Sequence, residues 1–318
     1  MKSHGTIRWA LALSLTLLIG AGFSLQLSND STVKAQASES QSISPSASNS
    51  PSASSSTSTS SPSPSASSTV ISDPVLKVIR DHQKATGCHF NSAKTAALSV
   101  GTCKIMLVGD SIGNNLGYGM LGQLNTSGGL KFSLKAKAST GLSNSWFYNW
   151  PNNLRTFLKA EKPNLVIVLI GANDRQNMKV GTRVLTYPTT AWQSAYKAQV
   201  TKMTKLATDA GAYVLWVGMP ISKPYNYNEG MKVINAQFRA VVPTMSGATF
   251  VPLWTLTADS AGAYRQYASV NGVRTKIRGD DGIHFTADGQ SVIGTYIIDK
   301  VASVYHVTLR STHRHELR

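Results

Sequence analysis

The sequence predicts an α/β fold in which a mainly parallel sheet lies between two layers of helices. Short apolar runs alternate with helix-length amphipathic segments from about residue 73 onward, and this alternation is typical of repeated βα units. The most apolar run, 165–170 (LVIVLI), is too short for a helix, so it indicates a strand buried on both faces. Ligands bind at the carboxyl ends of the strands in such sheets, so the loops that follow the strands should contain the functional residues.

Each element is predicted from its own pattern. The strands are expected at residues 105–108, 132–138, 165–170, 213–217 and 249–253. The clearest helix spans 190–210, where apolar residues recur at spacings of three and four before Gly211 ends it. A second helix is expected at 229–242, before Pro243, and a third after Thr286, which is a suitable N-cap residue.

The first 37 residues have the pattern of an export signal or an N-terminal membrane anchor. Lys2 and Arg8 precede an apolar run at 9–27, which is longer than the roughly 7 to 15 residues of a cleaved signal core. A small-x-small site at 35–37 is of the kind that signal peptidase cleaves, so removal or retention of this segment is left open. In both cases we expect the rest of the chain to be extracytoplasmic, either secreted or anchored to the cell membrane.

Three further segments follow the export signal. Residues 38–72 are rich in Ser and Pro with no periodic apolar face, so we expect a disordered linker. Residues 73–310 have the composition of one folded domain, and 311–318 form a polar tail. His313 and His315 in that tail have no Cys or carboxylate cluster around them, and the sequence predicts no metal site and no cofactor.

Composition and charge exclude several classes of protein. Two Cys in 318 residues are too few for a disulfide-framework scaffold or a Cys-ligated cluster. In an exported chain we expect Cys88 and Cys103 to form a disulfide; two reduced, buried thiols are the alternative.

The net charge of +16 comes without a block of five basic residues or a recognisable nucleic-acid module, which argues against nucleic acid as a partner. A cationic surface instead suits anionic cell-wall polymers or membrane head groups. The sequence does not indicate an oligomeric state.

The first predicted strand ends in Gly109, Asp110 and Ser111. A serine between a buried strand and a helix has its hydroxyl at the carboxyl edge of the sheet, close to the free N–H groups and positive dipole of the helix N-terminus. These groups stabilise an oxyanion that forms beside a nucleophile. The alternative is that Asp110 or Ser111 only caps the helix.

The next two strands also lead into polar loops. Gly141 follows the second strand, and the third ends in Gly171, Ala172, Asn173 and Asp174. The amide of Asn173 is available to a site at this edge, and Asp174 is suited to brace the loop through backbone N–H groups. Taken alone, each of these is a common turn sequence.

A late loop supplies a base. Asp281 and His284 are three residues apart just before the last helix, so one loop holds both and the carboxylate orients the imidazole. A neutral histidine oriented in this way is the general base that a serine nucleophile needs. Asp280 competes for the orienting role, although the three-residue spacing favours Asp281; a solvent-facing loop histidine is the alternative.

In combination and in this order, the four blocks resemble those of the SGNH (GDSL-type) hydrolase superfamily, which read Gly-Asp-Ser, Gly, Gly-x-Asn-Asp and Asp-x-x-His. The version at 280–285 (DDGIHF) is most similar to an exported bacterial branch of largely unassigned function. The resemblance implies a three-layer α/β/α sandwich with a flavodoxin-like sheet. It implies that Ser111 is the nucleophile, His284 the base and Asp281 its orienter. The implied oxyanion hole consists of the N–H groups of Ser111 and Gly141 and the side-chain amide of Asn173.

Residues 109–113 also fit the Gly-x-Ser-x-Gly turn of α/β-hydrolases. Against that fold, the serine follows the first strong strand and the acid lies only three residues before the histidine. We therefore expect an exported serine esterase that removes acyl groups, with acetyl as the expected group, from cell-envelope or extracellular carbohydrate through an acyl-enzyme.

The alternatives are a lipolytic esterase or thioesterase, a sugar O-acyltransferase, and a catalytically silent wall-binding module. Aromatic residues after Gly141 either stack on a sugar ring or begin a core-facing helix: Trp146, Phe147, Tyr148 and Trp150.

Overall fold

The structure is a computed structural model, and it describes residues 103–124 and 130–305 together with Pro74 and Lys77. The predicted export signal, linker and polar tail lie outside these described residues, as does Cys88, so the predicted domain boundaries stay predictions. Within the described part of the chain, none of the helices combines the length and the apolar character that crossing a membrane requires.

Nine strands and six α-helices form in the described residues. The strands are β1 (Cys103–Gly109), β2 (Leu130–Ala136), β3 (Leu165–Leu169), β4 (Met178–Val180), β5 (Arg183–Leu185), β6 (Tyr213–Val217), β7 (Ala248–Val251), β8 (Tyr267–Val270) and β9 (Val273–Lys276). The helices are α1 (Ser111–Leu124), α2 (Trp150–Glu161), α3 (Thr190–Asp209), α4 (Tyr225–Val241), α5 (Trp254–Thr257) and α6 (Ala287–Tyr305).

Five of these strands build one parallel sheet in the order β2-β1-β3-β6-β7. Counting only sheet strands, this is the 2-1-3-4-5 order of the flavodoxin-like doubly wound fold. The predicted α/β class and the five predicted strands are confirmed. The other four strands form two antiparallel hairpins, β4-β5 and β8-β9, which lie outside the predicted strands.

Helices cover both faces of the sheet and make the fold a three-layer α/β/α sandwich. Helices α1 and α6 contact each other, while α3 contacts both α2 and α4. Helices α1 and α6 pack so closely that a Cβ at Gly119 would overlap the backbone oxygen of Gln290. All five residues of β3 are buried, as its continuous apolar sequence predicted.

The helix predictions are confirmed with small differences at the ends. Helix α3 begins at Thr190 as expected, and Thr286 caps α6 by accepting a hydrogen bond from the Gly289 N–H at 3.1 Å. Helix α4 begins at Tyr225, four residues before the predicted start, since its first turn is polar and carries no apolar periodicity. Cys103 is buried at the start of β1 and is disulfide-bonded; its pairing with Cys88 stays a prediction.

Candidate active site

Ser111, His284 and Asp281 form one hydrogen-bonded chain at the carboxyl edge of the sheet. The Ser111 Oγ lies 2.9 Å from His284 Nε2, and His284 Nδ1 lies 2.6 Å from Asp281 Oδ2. Ser111 is the first residue of α1 and is separated from β1 by Asp110 alone, whereas the other two lie in the loop before α6. The side chains of His284 and Asp281 are 42% and 46% exposed, so substrate reaches this relay from solvent.

Asp281 is held in its ionised form. Its partial burial works to raise the pKa, but hydrogen bonds from the His284 ring and from the Ile283 and His284 N–H groups outweigh burial and hold the pKa below its usual value. The ionised carboxylate accepts the Nδ1 proton of His284, so Nε2 presents its lone pair to Ser111. Asp280 does not compete for this role, because it is exposed and pairs with Lys276 at 2.6 Å.

Two residues outside the predicted site hold the histidine loop. The Oδ1 atom of Asn115 accepts the Phe285 N–H at 3.0 Å, which fixes the loop to α1. Arg278 is fully buried and donates to the backbone oxygen of Ile283 at 2.7 Å, and its guanidinium lies 4.4 Å from the centre of the Phe285 ring. Burial lowers the Arg278 pKa to about 10, so the guanidinium is charged at neutral pH. Asn115 lies one helical turn after Ser111, and this spacing is the signal that could have identified it.

Asp110 joins the first and third strand-end loops. Its side chain is fully buried, and Oδ1 accepts the N–H groups of Ile112 at 2.9 Å and Gly113 at 3.3 Å. Oδ2 accepts those of Gly171 at 2.9 Å and Ala172 at 2.8 Å. Burial raises the pKa of Asp110 to about 6, against the lowering effect of these four hydrogen bonds. Asp110 therefore positions the start of α1 and the Asn173 loop, and it does not touch the reacting atoms.

The glycines of the first and third blocks permit close backbone approach. A Cβ at Gly109 would lie 2.6 Å from the Gly113 Cα and 2.9 Å from the backbone oxygen of Leu169. Gly171 has φ +149°, a conformation that L side chains rarely adopt. Gly109 therefore lets the Ser111 turn approach the end of β3, whereas Gly171 is favoured by the backbone conformation of the Asn173 loop.

Asp174 organises the loop that contains Gly141. Its Oδ1 accepts the backbone N–H and hydroxyl of Ser143 at 2.8 Å and 2.7 Å, and its Oδ2 accepts the Leu142 N–H at 3.0 Å and the Tyr196 hydroxyl at 2.7 Å. A Cβ at Gly141 would overlap Asp174 Oδ1, which explains why this position is glycine. The predicted brace is therefore present, and it also includes a tyrosine hydroxyl.

The three expected oxyanion donors differ in their hydrogen bonds. No described residue accepts from the Ser111 N–H. One amide hydrogen of Asn173 goes to the backbone oxygen of Thr140 at 2.9 Å, which leaves its second hydrogen for a ligand. The Gly141 N–H, by contrast, donates to Asn144 Oδ1 at 2.9 Å. A backbone amide has one hydrogen, so Gly141 joins an oxyanion hole only after Asn144 releases it.

Of the aromatic residues after Gly141, some begin a core-facing helix and others are exposed and could stack on a sugar ring. Trp150 is buried and begins α2, as a core-facing helix start would, and Tyr148 packs edge-on against it with ring centres 4.8 Å apart. Trp146 and Phe147 instead are 76% and 48% exposed. They remain available to a ligand.

The α/β-hydrolase alternative does not fit the structure. Ser111 is absent from the residues with positive φ, whereas the serine of that fold sits on a strained turn. Among the described residues, no group of three or more His, Cys, Asp or Glu is arranged to hold a metal ion.

The fold and the relay together define a serine hydrolase of the SGNH type. The family model described as "Protein of unknown function (DUF459)" matches residues 104–300, more than half of the chain, and the protein belongs to this family. No curated protein matches the sequence.

Several solved structures are similar to this chain. TesA is 21% identical, with 63% of this chain and 99% of that one covered and a TM-score of 0.43. A GDSL-like lipase from Bacteroides thetaiotaomicron is 12% identical, with 72% and 98% covered and a TM-score of 0.45. A carbohydrate esterase family 3 structure from Talaromyces cellulolyticus is 15% identical, with 64% and 99% covered and a TM-score of 0.43.

Proposed function

We propose that the protein is an exported serine esterase that removes acetyl groups from cell-envelope or extracellular carbohydrate. The observation that carries the esterase assignment is the relay itself, in which Ser111 Oγ, His284 and Asp281 are joined by hydrogen bonds of 2.9 Å and 2.6 Å. A serine paired with an oriented histidine is an activated nucleophile for acyl groups.

The reaction proceeds in two halves. Ser111 Oγ attacks the ester carbonyl while His284 Nε2 takes its proton, and the tetrahedral oxyanion is stabilised by the Ser111 N–H and the Asn173 amide. His284 then donates that proton to the departing alcohol, which leaves an acyl-enzyme. Water attacks the acyl group, again with His284 as base, and the acid and free Ser111 are released. A sugar hydroxyl in place of water would make the same enzyme a transferase.

Exposed aromatic rings support a carbohydrate substrate. The turn with Trp146 and Phe147 is tied to the Gly141 loop, because the Phe147 N–H donates to the backbone oxygen of Asn144 at 2.9 Å and Asn144 Oδ1 accepts from Gly141. Aromatic side chains with one wet face are common at binding surfaces. These rings therefore lie within one hydrogen-bonded turn of an expected oxyanion donor.

Export and retention at the cell surface are the second part of the proposal. The N-terminal pattern of Lys2, Arg8 and the apolar run supports export, and the net charge of +16 supports adhesion to anionic wall polymers or lipid head groups. Cell fractionation tests the location. Release of the protein from walls by raised salt is expected, and a wall-bound fraction that salt does not change would contradict electrostatic retention.

Hydrolysis of p-nitrophenyl esters of increasing chain length, together with acetylated xylan, tests the activity and the acyl group. We expect the highest kcat/KM for acetyl; a preference for chains of eight or more carbons would favour the lipolytic alternative. Ser111→Ala should lower kcat by at least about a thousandfold and abolish labelling by a fluorophosphonate. Ser194→Ala, on the exposed side of α3, is the matched control and should keep both. Turnover that survives Ser111→Ala would exclude this nucleophile.

A further inference from the structure

A pocket lies beside the histidine loop and does not include Ser111, Asp281 or His284 in its lining. Its volume is about 490 Å³, and its lining starts at Ile221, in the segment between β6 and α4. It is lined by Ile221, Ser222, Lys223, Tyr225, Asn228, Lys232, Trp254, Gly262, Ala263 and Tyr264. This volume is within the range of small-molecule sites and accommodates a sugar ring with its substituents.

Two residues that line the pocket carry buried hydroxyl groups with no hydrogen-bond partner in the described part of the chain. Ser222 is only 2% exposed, and its Oγ is buried without a hydrogen bond to any described residue; the same holds for the Tyr264 hydroxyl. Buried polar groups in proteins are normally paired, so two such hydroxyls in one pocket point to a polar ligand. Asn228 accepts the Ser222 N–H on its Oδ1 at 3.0 Å, which leaves its NH₂ group as a further donor.

The charged residues that line the pocket indicate the sign of the ligand's charge. The described residues that line the pocket include two lysines and no carboxylate. Lys232 is paired with Glu229 at 2.6 Å, whereas Lys223 is exposed and has no ion-pair partner among the described residues. Aromatic rings of Trp254, Tyr225 and Tyr264 complete the lining. Free ammonium, hydroxyls and aromatic faces together suit a sugar that carries an anionic group.

The pocket shares backbone hydrogen bonds with the catalytic loop. The Lys223 N–H donates to the backbone oxygen of Gly282 at 3.0 Å, and Gly282 directly follows Asp281. On the other side, Arg278 donates to the backbone oxygen of Ile221 at 2.7 Å. A glycan bound in the pocket therefore lies next to the loop that holds His284.

We propose that this pocket binds an anionic sugar unit, with a carboxylate or a phosphate on the ring, of the same glycan whose ester is cleaved at Ser111. This inference rests on the proposed esterase function and deepens it, since it makes the substrate an acidic glycan. Lys223 neutralises the anion and the NH₂ group of Asn228 donates to the polar groups of the ring, while the Ser222 hydroxyl, which is buried in this structure, turns toward the ring when it binds.

Calorimetric binding to the full chain carrying Ser111→Ala tests the proposal without turnover. The probes are tetragalacturonate, glucose 6-phosphate and the neutral xylotetraose. We expect at least one anionic probe to bind about tenfold tighter than xylotetraose, and added salt to reduce that difference. Tighter binding of the galacturonate identifies a carboxylate, and tighter binding of the phosphate sugar identifies a phosphate ester.

Substitutions of Lys223 test whether this residue causes the preference for anionic probes. Lys223→Gln should weaken anionic binding about tenfold, Lys223→Arg should retain it, and Lys202→Gln on α3 is the matched surface control. Equal affinity for acidic and neutral probes, no binding of any probe, or an unchanged affinity in Lys223→Gln would each overturn the proposal. Failure of the wild type to hydrolyse p-nitrophenyl acetate would instead overturn the esterase function, so the two failures are distinguishable.

Discussion

Asp110→Asn separates two opposing effects on one buried carboxylate. The fully buried side chain accepts four backbone N–H groups, which favour the charged form, while its burial favours the neutral form. The effect of burial is the larger one, and it raises the pKa of Asp110 to about 6, compared with 3.8 for an ordinary aspartate. Between these two pH values the folded protein binds a proton that the unfolded chain does not, so Asp110 increasingly stabilises the fold as the pH falls from 7 to 4.

The size of this effect follows from the two pKa values. Each tenfold change in a proton-binding constant corresponds to about 1.4 kcal/mol, so a rise from 3.8 to about 6 gives about 3 kcal/mol when complete. The asparagine variant does not titrate and lacks this gain. All other groups are common to both proteins, so they cancel in the difference between the two free energies of unfolding.

Urea unfolding of both proteins at pH 7, 5 and 4 measures this difference. We expect the wild type to gain about 2 to 3 kcal/mol relative to Asp110→Asn between pH 7 and pH 4. A difference that does not change with pH would show that the pKa is not raised. If instead the variant gained stability relative to the wild type as the pH falls, the four N–H groups would outweigh burial and the pKa of Asp110 would be lowered, which would refute the reasoning.

Two further substitutions test the loops around the relay. Gly141→Ala places a Cβ on Asp174 Oδ1 and should lower the free energy of unfolding by about 2 to 4 kcal/mol, as measured by urea unfolding; wild-type stability would show that the loop opens freely. Asn115→Ala removes the acceptor of the Phe285 N–H and should reduce kcat on p-nitrophenyl acetate about tenfold, because His284 is then less well held. An unchanged kcat would mean that Arg278 alone suffices to hold the histidine loop.

The sheet was predictable because its strands carry strong local signals. β3 and β6 lie within one residue of the predicted ranges, since uninterrupted apolar runs occur where both faces of a strand are covered. The two hairpins were missed for the opposite reason. β5 is three residues long (Arg183–Leu185) and mostly exposed, and β8 and β9 have four residues each, so neither apolar alternation nor length marks them.

The relay was predictable because its members lie beside recognisable elements, Ser111 at the start of a helix and the other two just before the last helix. Asp281 and His284 lie three residues apart in one loop, and Ser111 comes two residues after the last residue of a buried strand. The supporting contacts were not predictable in the same way, because they join distant segments. Arg278 is fully buried with backbone oxygens and aromatic rings as partners, and a lone arginine in a loop ordinarily indicates solvent exposure.

Asn144 decides whether the expected oxyanion hole has two donors or three. Its Oδ1 holds the single hydrogen of the Gly141 N–H at 2.9 Å, while its own amide makes only a long contact of 3.5 Å to Ser139. If Gly141 serves the oxyanion, this hydrogen bond breaks in each turnover at a cost of about 0.5 to 1.5 kcal/mol. Asn144→Ala removes that cost, so kcat/KM on p-nitrophenyl acetate should rise by up to about tenfold. A fall in kcat/KM would show instead that Asn144 positions the loop and that Ser111 and Asn173 stabilise the oxyanion without Gly141.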